Sequence, residues 1–265
     1  MSSTLPPASA GTPKIRLRGL KKTFGTKKVL DGVDLDVQAG QGMVILGGSG
    51  SGKSVTIKSI LGLIQPDAGT IEIDGRDVLS MNRREREALN DRIGMLFQNA
   101  ALFDSLPVWE NVCFKLLAQK RITRAKARDK AGEILNQVGL DGSVGDLSPS
   151  ELSGGMQKRV GLARAIATQP DIIFFDEPTT GLDPIMGAVI DGLIVDCVKK
   201  LGATAVSITH DMASARRIGD TAAMIHKGRI VWTGPAATLG DTGNAMVDQF
   251  ARGEREGPIS MELRK

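Results

Sequence analysis

From Ile15 onward the chain alternates apolar and polar positions in short runs. IRLRGL and VDLDVQ carry the period of two that marks a strand with one buried face, and FGTKK between them reads as a turn. GMVILG is instead apolar throughout, as in a strand buried on both faces. KSVTIKSILGLI, Lys53 to Ile64, then shifts to helical spacing. TIEIDGRDV predicts another strand and turn, and NRREREALNDR a charged helix leading into the apolar IGMLFQ. Residues from about Leu106 to Ala167 read as mainly helical. DIIFFDE, TAVSITH and AAMIHKGRIVWTG then return to strands separated by helices, so a mixed α/β core interrupted by a helical insertion is expected. No internal repeat is visible, and the charged helical runs read as solvated faces.

Between the strand GMVILG and the helix stands GGSGSGKS, Gly47 to Ser54, which fits G-x-x-x-x-G-K-[ST] at every fixed position. Glycines let the backbone wrap closely around an anion with its amides pointing inward, and the following helix adds its positive N-terminal end. Lys53 can reach terminal phosphates and the Ser54 hydroxyl can ligate Mg²⁺. A merely flexible serine-glycine turn would not require Lys-Ser at a helix start after a buried strand. A second constellation is IIFFDEP, Ile172 to Pro178, where Asp176 and Glu177 end an apolar strand. Alternation there lets Asp176 face a metal while Glu177 polarises an attacking water. The third is LSGGMQKRVGLARAIA, Leu152 to Ala167, a serine and two glycines opening an amphipathic helix, which makes a second candidate anion site or simply a capped helix.

Composition changes this picture little. The 265 residues allow one large domain or two modest ones, and 41% hydrophobic with 24% charged residues is ordinary for a globular chain. The formal charge of +4 arises from 34 basic and 30 acidic residues interleaved, a mild field that gives no reason to expect a nucleic-acid partner. Cys113 and Cys197 lack metal-ligand spacing and suit buried thiols in a reducing compartment. The N-terminal MSSTLPPASAGTPK lacks the apolar run of a secretory signal and is expected to be a disordered lead. Nothing approaches the roughly 18 consecutive apolar residues of a membrane span, so a soluble, intracellular protein is expected.

In combination these motifs resemble the nucleotide-binding subunits of ABC transporters, from Lys14 to about Gly240. The resemblance implies a P-loop NTPase (RecA-like) core of α/β class with an antiparallel β subdomain and a helical subdomain at about 106–167. Residues 1–13 would form the lead, 14–240 the ATPase domain, and 241–265 a C-terminal tail. It implies ATP hydrolysis with Mg²⁺. The nucleotide would lie on Gly47, Gly48, Ser49, Gly50, Ser51, Gly52, Lys53, Ser54 and Val55, with Phe24 stacked on adenine. Gln98 matches the Q-loop, Asp183 the D-loop and His210 the switch histidine, while His226 matches no motif and is left structural. Two copies would pack head to tail, each ATP meeting Ser153, Gly154 and Gly155 of the other. Glu177, His210, Lys53 and Gln98 would be catalytic, and Ser54, Gln98 and Asp176 would hold the metal. Taken singly, Phe24, Gln98 and His210 also fit structural roles. The signature departs from the usual LSGGQ at Met156, although Gln157 follows it.

PSELSGGMQKR, FQNAALFDSLPVWENV and DQFARGEREGPI further resemble the ATPases of Mla-type systems. That resemblance implies phospholipid transport between inner and outer membrane, powered from the cytoplasmic face of the bacterial inner membrane. The implied partners are an integral-membrane permease, an MCE-domain substrate-binding protein and a small STAS-type accessory subunit. An ATPase for a polar-nutrient importer shares every catalytic motif and stays open. A non-transport ABC protein fits less well with a single cassette and one short helical segment between Gln98 and Ser153. Leu102 and Phe103 are expected to meet the permease, the alternative being that both belong to the core of the helical insertion.

Overall fold

The computed structural model describes residues 11–259. Residues 1–10 of the expected lead and 260–265 of the expected tail lie outside the described residues. The described residues form two compact units, 11–82 with 210–259, and 83–209.

In the first unit, β1 (Ile15–Phe24), β2 (Lys27–Val37), β4 (Ala68–Ile73) and β5 (Arg76–Asp77) form an antiparallel sheet in the order β2-β1-β4-β5. The alternation in the sequence becomes two chemically distinct faces. Ile15 stands opposite Val37 and Ile73, and Leu17 opposite Leu35 and Ile71, all of them buried. The intervening Arg16 and Arg18 reach Asp36 at 3.3 and 2.7 Å on the half-exposed face. Pairs of that exposure contribute roughly 0–1 kcal/mol each, so the apolar face holds this sheet. The register shifts between Leu17 and Leu20, where Gly19 takes a φ of 58° and donates its N–H to Asp34 at 2.7 Å.

β3 (Gly42–Leu46) is wholly buried and pairs in parallel with β9 (Thr221–His226), which turns back through Lys227 and Gly228 into β10 (Arg229–Pro235). Both turn residues have positive φ, as a two-residue hairpin of this hand requires. α1 (Lys53–Ile60) is shorter than the expected run to Ile64: Gly62 takes a φ of 73°, the N–H of Leu63 caps back to the carbonyl of Lys58, and Leu63 is exposed. α7 (Met212–Ile218) and α8 (Ala245–Arg252) complete the unit. α8 stands in the segment expected only as a tail. Asn244 caps it by accepting from the N–H groups of Met246 and Val247, and Gly253 ends it in the left-handed conformation.

In the second unit, β6 (Ile93–Leu96), β7 (Ile172–Asp176) and β8 (Thr204–Ile208) run parallel in the order β8-β7-β6. The continuous apolar reading of IIFF is explained by Phe174 and Phe175, both at 0% exposure. α2 (Arg83–Asp91) precedes β6, and α3 (Val108–Ala118), α4 (Arg124–Gln137) and α5 (Gly154–Ile166) lie between β6 and β7. α5 approaches β6 backbone to backbone: a Cβ on Gly94 would lie 2.3 Å from the carbonyl oxygen of Ala165, and one on Gly161 would lie 2.7 Å from Leu96. α6 (Pro184–Leu201) joins β7 to β8. It starts with a capping aspartate and proline, ends with two lysines and a left-handed Gly202, and buries Ile190, Ile194 and Cys197.

Candidate functional site

Strand β3 delivers the chain into Gly47, where the need for glycine is steric. A Cβ at Gly47 would lie 2.3 Å from the carbonyl oxygen of Ile225, and one at Gly52 would lie 2.6 Å from Leu30 and 2.9 Å from the carbonyl of Val29. Gly50 and Gly52 take φ of 73° and 113°, and Gly52 is the cap of α1. The loop is tied across itself by Ser51 N–H donating to Gly48 and Gly228 N–H donating to Ser51, each at 3.2 Å. The Lys53 ammonium folds over it, 2.6 Å from the carbonyl of Gly47 and 3.1 Å from that of Gly48. The buried Ser51 hydroxyl has no hydrogen-bond partner among the described residues. Ser54 and Val55 follow in the first turn of α1, which carries no acidic side chain. A cation, a helix N-terminus and a side-chain-free cradle together suit a polyphosphate. Ser49 and Gly50 form the exposed tip of the loop. Phe24 closes β1 with 47% of its surface exposed and the Lys22 ammonium 5.5 Å from its ring centre, so its ring is an open platform on this unit.

In the second unit β7 ends at Asp176 and the chain turns at Glu177 with a φ of 51°. Glu177 thus lies just beyond the strand, and a left-handed turn rather than strand alternation sets its direction. Its N–H donates to the carbonyl of Ile208 at 2.9 Å, and its Oε2 accepts from the Thr180 hydroxyl at 2.9 Å. Ser153 caps α5, accepting from the N–H of Met156 at 3.3 Å, and Gly154 and Gly155 open the helix. Gln157 does not stand in for the glutamine that Met156 replaces, because its amide donates back to the carbonyls of Pro149 and Leu152 at 3.0 and 3.4 Å. Asp183 caps α6 through the N–H groups of Ile185 and Met186, both at 3.0 Å. Gln98 is exposed just after β6, and His210, in the first unit, is exposed two residues past the end of β8. The two cysteines are inert: burial pushes the Cys113 thiol up to about 11 and raises Cys197 as well.

Three residues to which the sequence assigned no role support the site in this unit. Lys158, only 6% exposed, donates to the carbonyls of Gln98 and Glu177. Arg164 donates to those of Ala100 and Ala101, and Thr180 holds Glu177. A lysine on the buried face of α5, one turn before Gly161 and Leu162, was the visible signal for the first of them. The segment after β6 places Phe103 outside the core of the helical insertion. Phe103 is 43% exposed and Phe114 40%, their rings 4.4 Å apart, while Leu102 is half-buried. The fully buried Asn111 shapes this loop, accepting from Phe103 N–H at 2.7 Å and donating to the carbonyls of Phe103 and Leu106. Phe103 is therefore a surface residue on a well-braced loop.

Residues 30–180 match the family model described as ABC transporter. The chain is 40% identical over 251 residues to the probable ribonucleotide transport ATP-binding protein mkl of Mycobacterium leprae, covering 95% of this chain and 72% of that protein. It is 37% identical over 245 residues to the intermembrane phospholipid transport system ATP-binding protein MlaF of Haemophilus influenzae, covering 92% of each. Among solved structures it resembles the ATP-binding cassette MJ0796, described as dimeric in a post-hydrolysis state bound to ADP and Pi. The TM-score is 0.77 and the identity 31%, over 84% of this chain and 98% of that one. The phosphate loop, the capped glycine helix and the strand ending in Asp176 thus stand on the fold of a nucleotide-hydrolysing cassette, and the chain belongs to the ABC transporter family as an ATP-binding, ATP-hydrolysing subunit.

Proposed function

We propose that this subunit powers phospholipid movement between two membranes. The observation that supports this most is the match to the Haemophilus protein named for intermembrane phospholipid transport, which extends over 92% of both chains, so the likeness reaches beyond the shared catalytic motifs. The mycobacterial relative is named for ribonucleotides, and it supports the broader statement that the chain energises a transporter.

In this reading the backbone amides from Gly47 to Ser54 and the Lys53 ammonium bind the phosphates of ATP, and the exposed ring of Phe24 stacks on the base. Ser54, Asp176 and Gln98 would supply the hard oxygen donors that Mg²⁺ prefers. Among the described residues no cluster of three or more His, Cys, Asp or Glu competes for a softer metal. The bound ion would neutralise charge on the transferred phosphoryl group. Glu177 accepts the proton of the attacking water, oriented by Thr180, and His210 contributes a hydrogen bond to the γ-phosphate. A second copy brings Ser153, Gly154 and Gly155, with Asp183 near the contact. The MJ0796 cassette, described as dimeric with ADP and Pi, supports the use of a second copy.

No helix among the described residues is long and apolar enough to cross a membrane. In this reading a permease holds the subunit at the cytoplasmic face of the inner membrane through the exposed, stacked rings of Phe103 and Phe114. An MCE-domain protein and a STAS-type subunit complete the proposed assembly. Domain limits of 14–240 for the ATPase, with a helical subdomain near 106–167 and a lead and tail outside them, belong to the same proposal. Lipid exchange between donor and acceptor vesicles by the complex co-purified from membranes tests it, comparing wild type with Glu177→Gln in Mg-ATP. ATP-dependent lipid movement lost in the variant supports the proposal. Hydrolysis without lipid movement, stimulated instead by a receptor for an amino acid, sugar or nucleotide, overturns the lipid assignment.

A further inference from the structure

Non-glycine residues rarely hold a positive φ, and three of the seven that do so among the described residues are Ala100, Ala101 and Glu177, at 55°, 48° and 51°. Each is a conformation that surrounding contacts must maintain. All three carbonyls accept from a cation on α5. Arg164 donates to the carbonyls of Ala100 and Ala101, the latter at 2.7 Å. Lys158 donates to the carbonyl of Glu177 at 3.3 Å and to that of Gln98. The helix is pressed against the same segment, since a Cβ on Gly161 would lie 3.1 Å from that of Ala100. One helix, whose first turn is Gly154 and Gly155, therefore holds both the stretch around Gln98 and the turn carrying the Glu177 carboxylate.

Lys158 is an unusual residue to find in this position. Its surroundings push its pKa down, chiefly through burial, against the pull of Glu177 and Asp176. An ammonium buried in that way must be satisfied by hydrogen bonds, and the groups it finds are main-chain carbonyls of two separate motifs. A packing role alone would be met by methionine, which has similar length and no desolvation cost.

We infer that Lys158 is a positioning residue for ATP hydrolysis: its ammonium ties the main chain at Gln98 to the main chain at Glu177 and so sets the direction of the Glu177 carboxylate. This rests on the reading of Glu177 as the group that activates water. Because the tie also grips the segment that continues into the exposed Phe103, displacement of that segment reaches the carboxylate through one side chain.

Lys158→Met removes both bonds at nearly constant volume, and Lys158→Gln keeps a donor too short to span both carbonyls. In the full-length protein, kcat for ATP is expected to fall in the order Lys, Gln, Met, by about ten- to hundredfold for Met, with KM changed by less than about twofold. In a Glu177→Gln background, Lys158→Met is expected to lower the residual rate by less than about twofold, since both changes act on one group. Deuterium uptake at residues 97–101 should rise in Lys158→Met. Should that variant not fold, the comparison of Lys158→Gln with wild type decides alone. The inference is overturned by a kcat for Lys158→Gln equal to wild type, by losses that follow melting temperature, or by full additivity with Glu177→Gln. Wild-type turnover in Glu177→Gln itself would remove the carboxylate's role, and the inference with it.

Discussion

Gly47 and Gly48 are neighbours in the same loop, and the structure gives them opposite importance. At Gly47 a methyl group would sit 2.3 Å from the Ile225 carbonyl and 2.8 Å from the Ser51 hydroxyl, at a φ of 150°. Reaching ordinary contact distance requires a shift of about 1 Å, and the obstacle is main chain of β9 paired with β3, which cannot yield as a side-chain tip would. Strain of this kind costs about 2–4 kcal/mol out of a total of about 5–15 kcal/mol. For a chain of this size that lowers the melting temperature by about 5–15 °C. The same shift moves the amides and the Lys53 anchor on Gly47, so ATP affinity should drop by about tenfold or more. At Gly48 a methyl group meets nothing within 4 Å and φ is not positive. Gly48→Ala should therefore keep its melting temperature without nucleotide within about 1 °C. Scanning fluorimetry with and without Mg-ATP, together with titration of a fluorescent nucleotide, measures both quantities in one preparation. Wild-type stability and affinity in Gly47→Ala, or an equal loss of stability in Gly48→Ala, would refute the cradle argument.

Lys53→Ala should weaken ATP binding by about 2–4 kcal/mol, because a charge-assisted phosphate contact disappears; an unchanged dissociation constant in equilibrium titration counts against the role given to this lysine. Glu177→Gln should bind ATP normally and hydrolyse it about 10²–10⁴-fold more slowly. Its amide can still meet Thr180 and the left-handed turn is untouched, so its melting temperature should match wild type; near-normal phosphate release would exclude Glu177 as the base. Phe103→Asp should leave folding and ATP binding intact, since the ring is 43% exposed, while preventing co-purification with the permease; an unfolded variant would return Phe103 to the core.

Much of the fold was legible because its strands are chemically simple. GMVIL and IIFF read as buried strands since each is apolar throughout, and VDLDV read as one-sided since its aspartates alternate with apolar residues; in the structure Asp36 meets Arg16 and Arg18 while Asp34 accepts from the Gly19 N–H. Ends were harder, being decided by partners distant in sequence. The turn expected as FGTKK shrinks to Gly25 and Thr26 because Phe24 pairs with Lys27 and Thr23 with Lys28. Helix α1 stops at Ile60 because Gly62 goes left-handed, although the apolar spacing continues through Leu63 and Ile64. α8 carried its own signals, an asparagine cap, Val247 and Phe250 at helical spacing and a closing Gly253, but the charges of GEREG after it made the whole stretch read as tail.

The site divides along a different line. Gly47 to Ser54 is contiguous, and its chemistry follows from residue types in order, so the loop could be read as a phosphate cradle without coordinates. Arg164 and Thr180 could not be found that way, and Lys158 only as a lysine standing among the apolar positions of a helix. Lys158 and Arg164 act on carbonyl oxygens, which every residue possesses, so nothing in the identity of Gln98, Ala100 or Glu177 points back to the donor. For Glu177 strand alternation was an insufficient reason: the strand ends at Asp176, and alternation cannot aim a residue that lies beyond it at a φ of 51°. What aims it is a turn fastened by Thr180 on the side chain, by Ile208 on the N–H and by Lys158 on the carbonyl. A residue fastened through both its main chain and its carboxylate on a strained turn is costly to maintain unless the carboxylate's direction matters, and water activation at a phosphoryl group is chemistry in which direction matters.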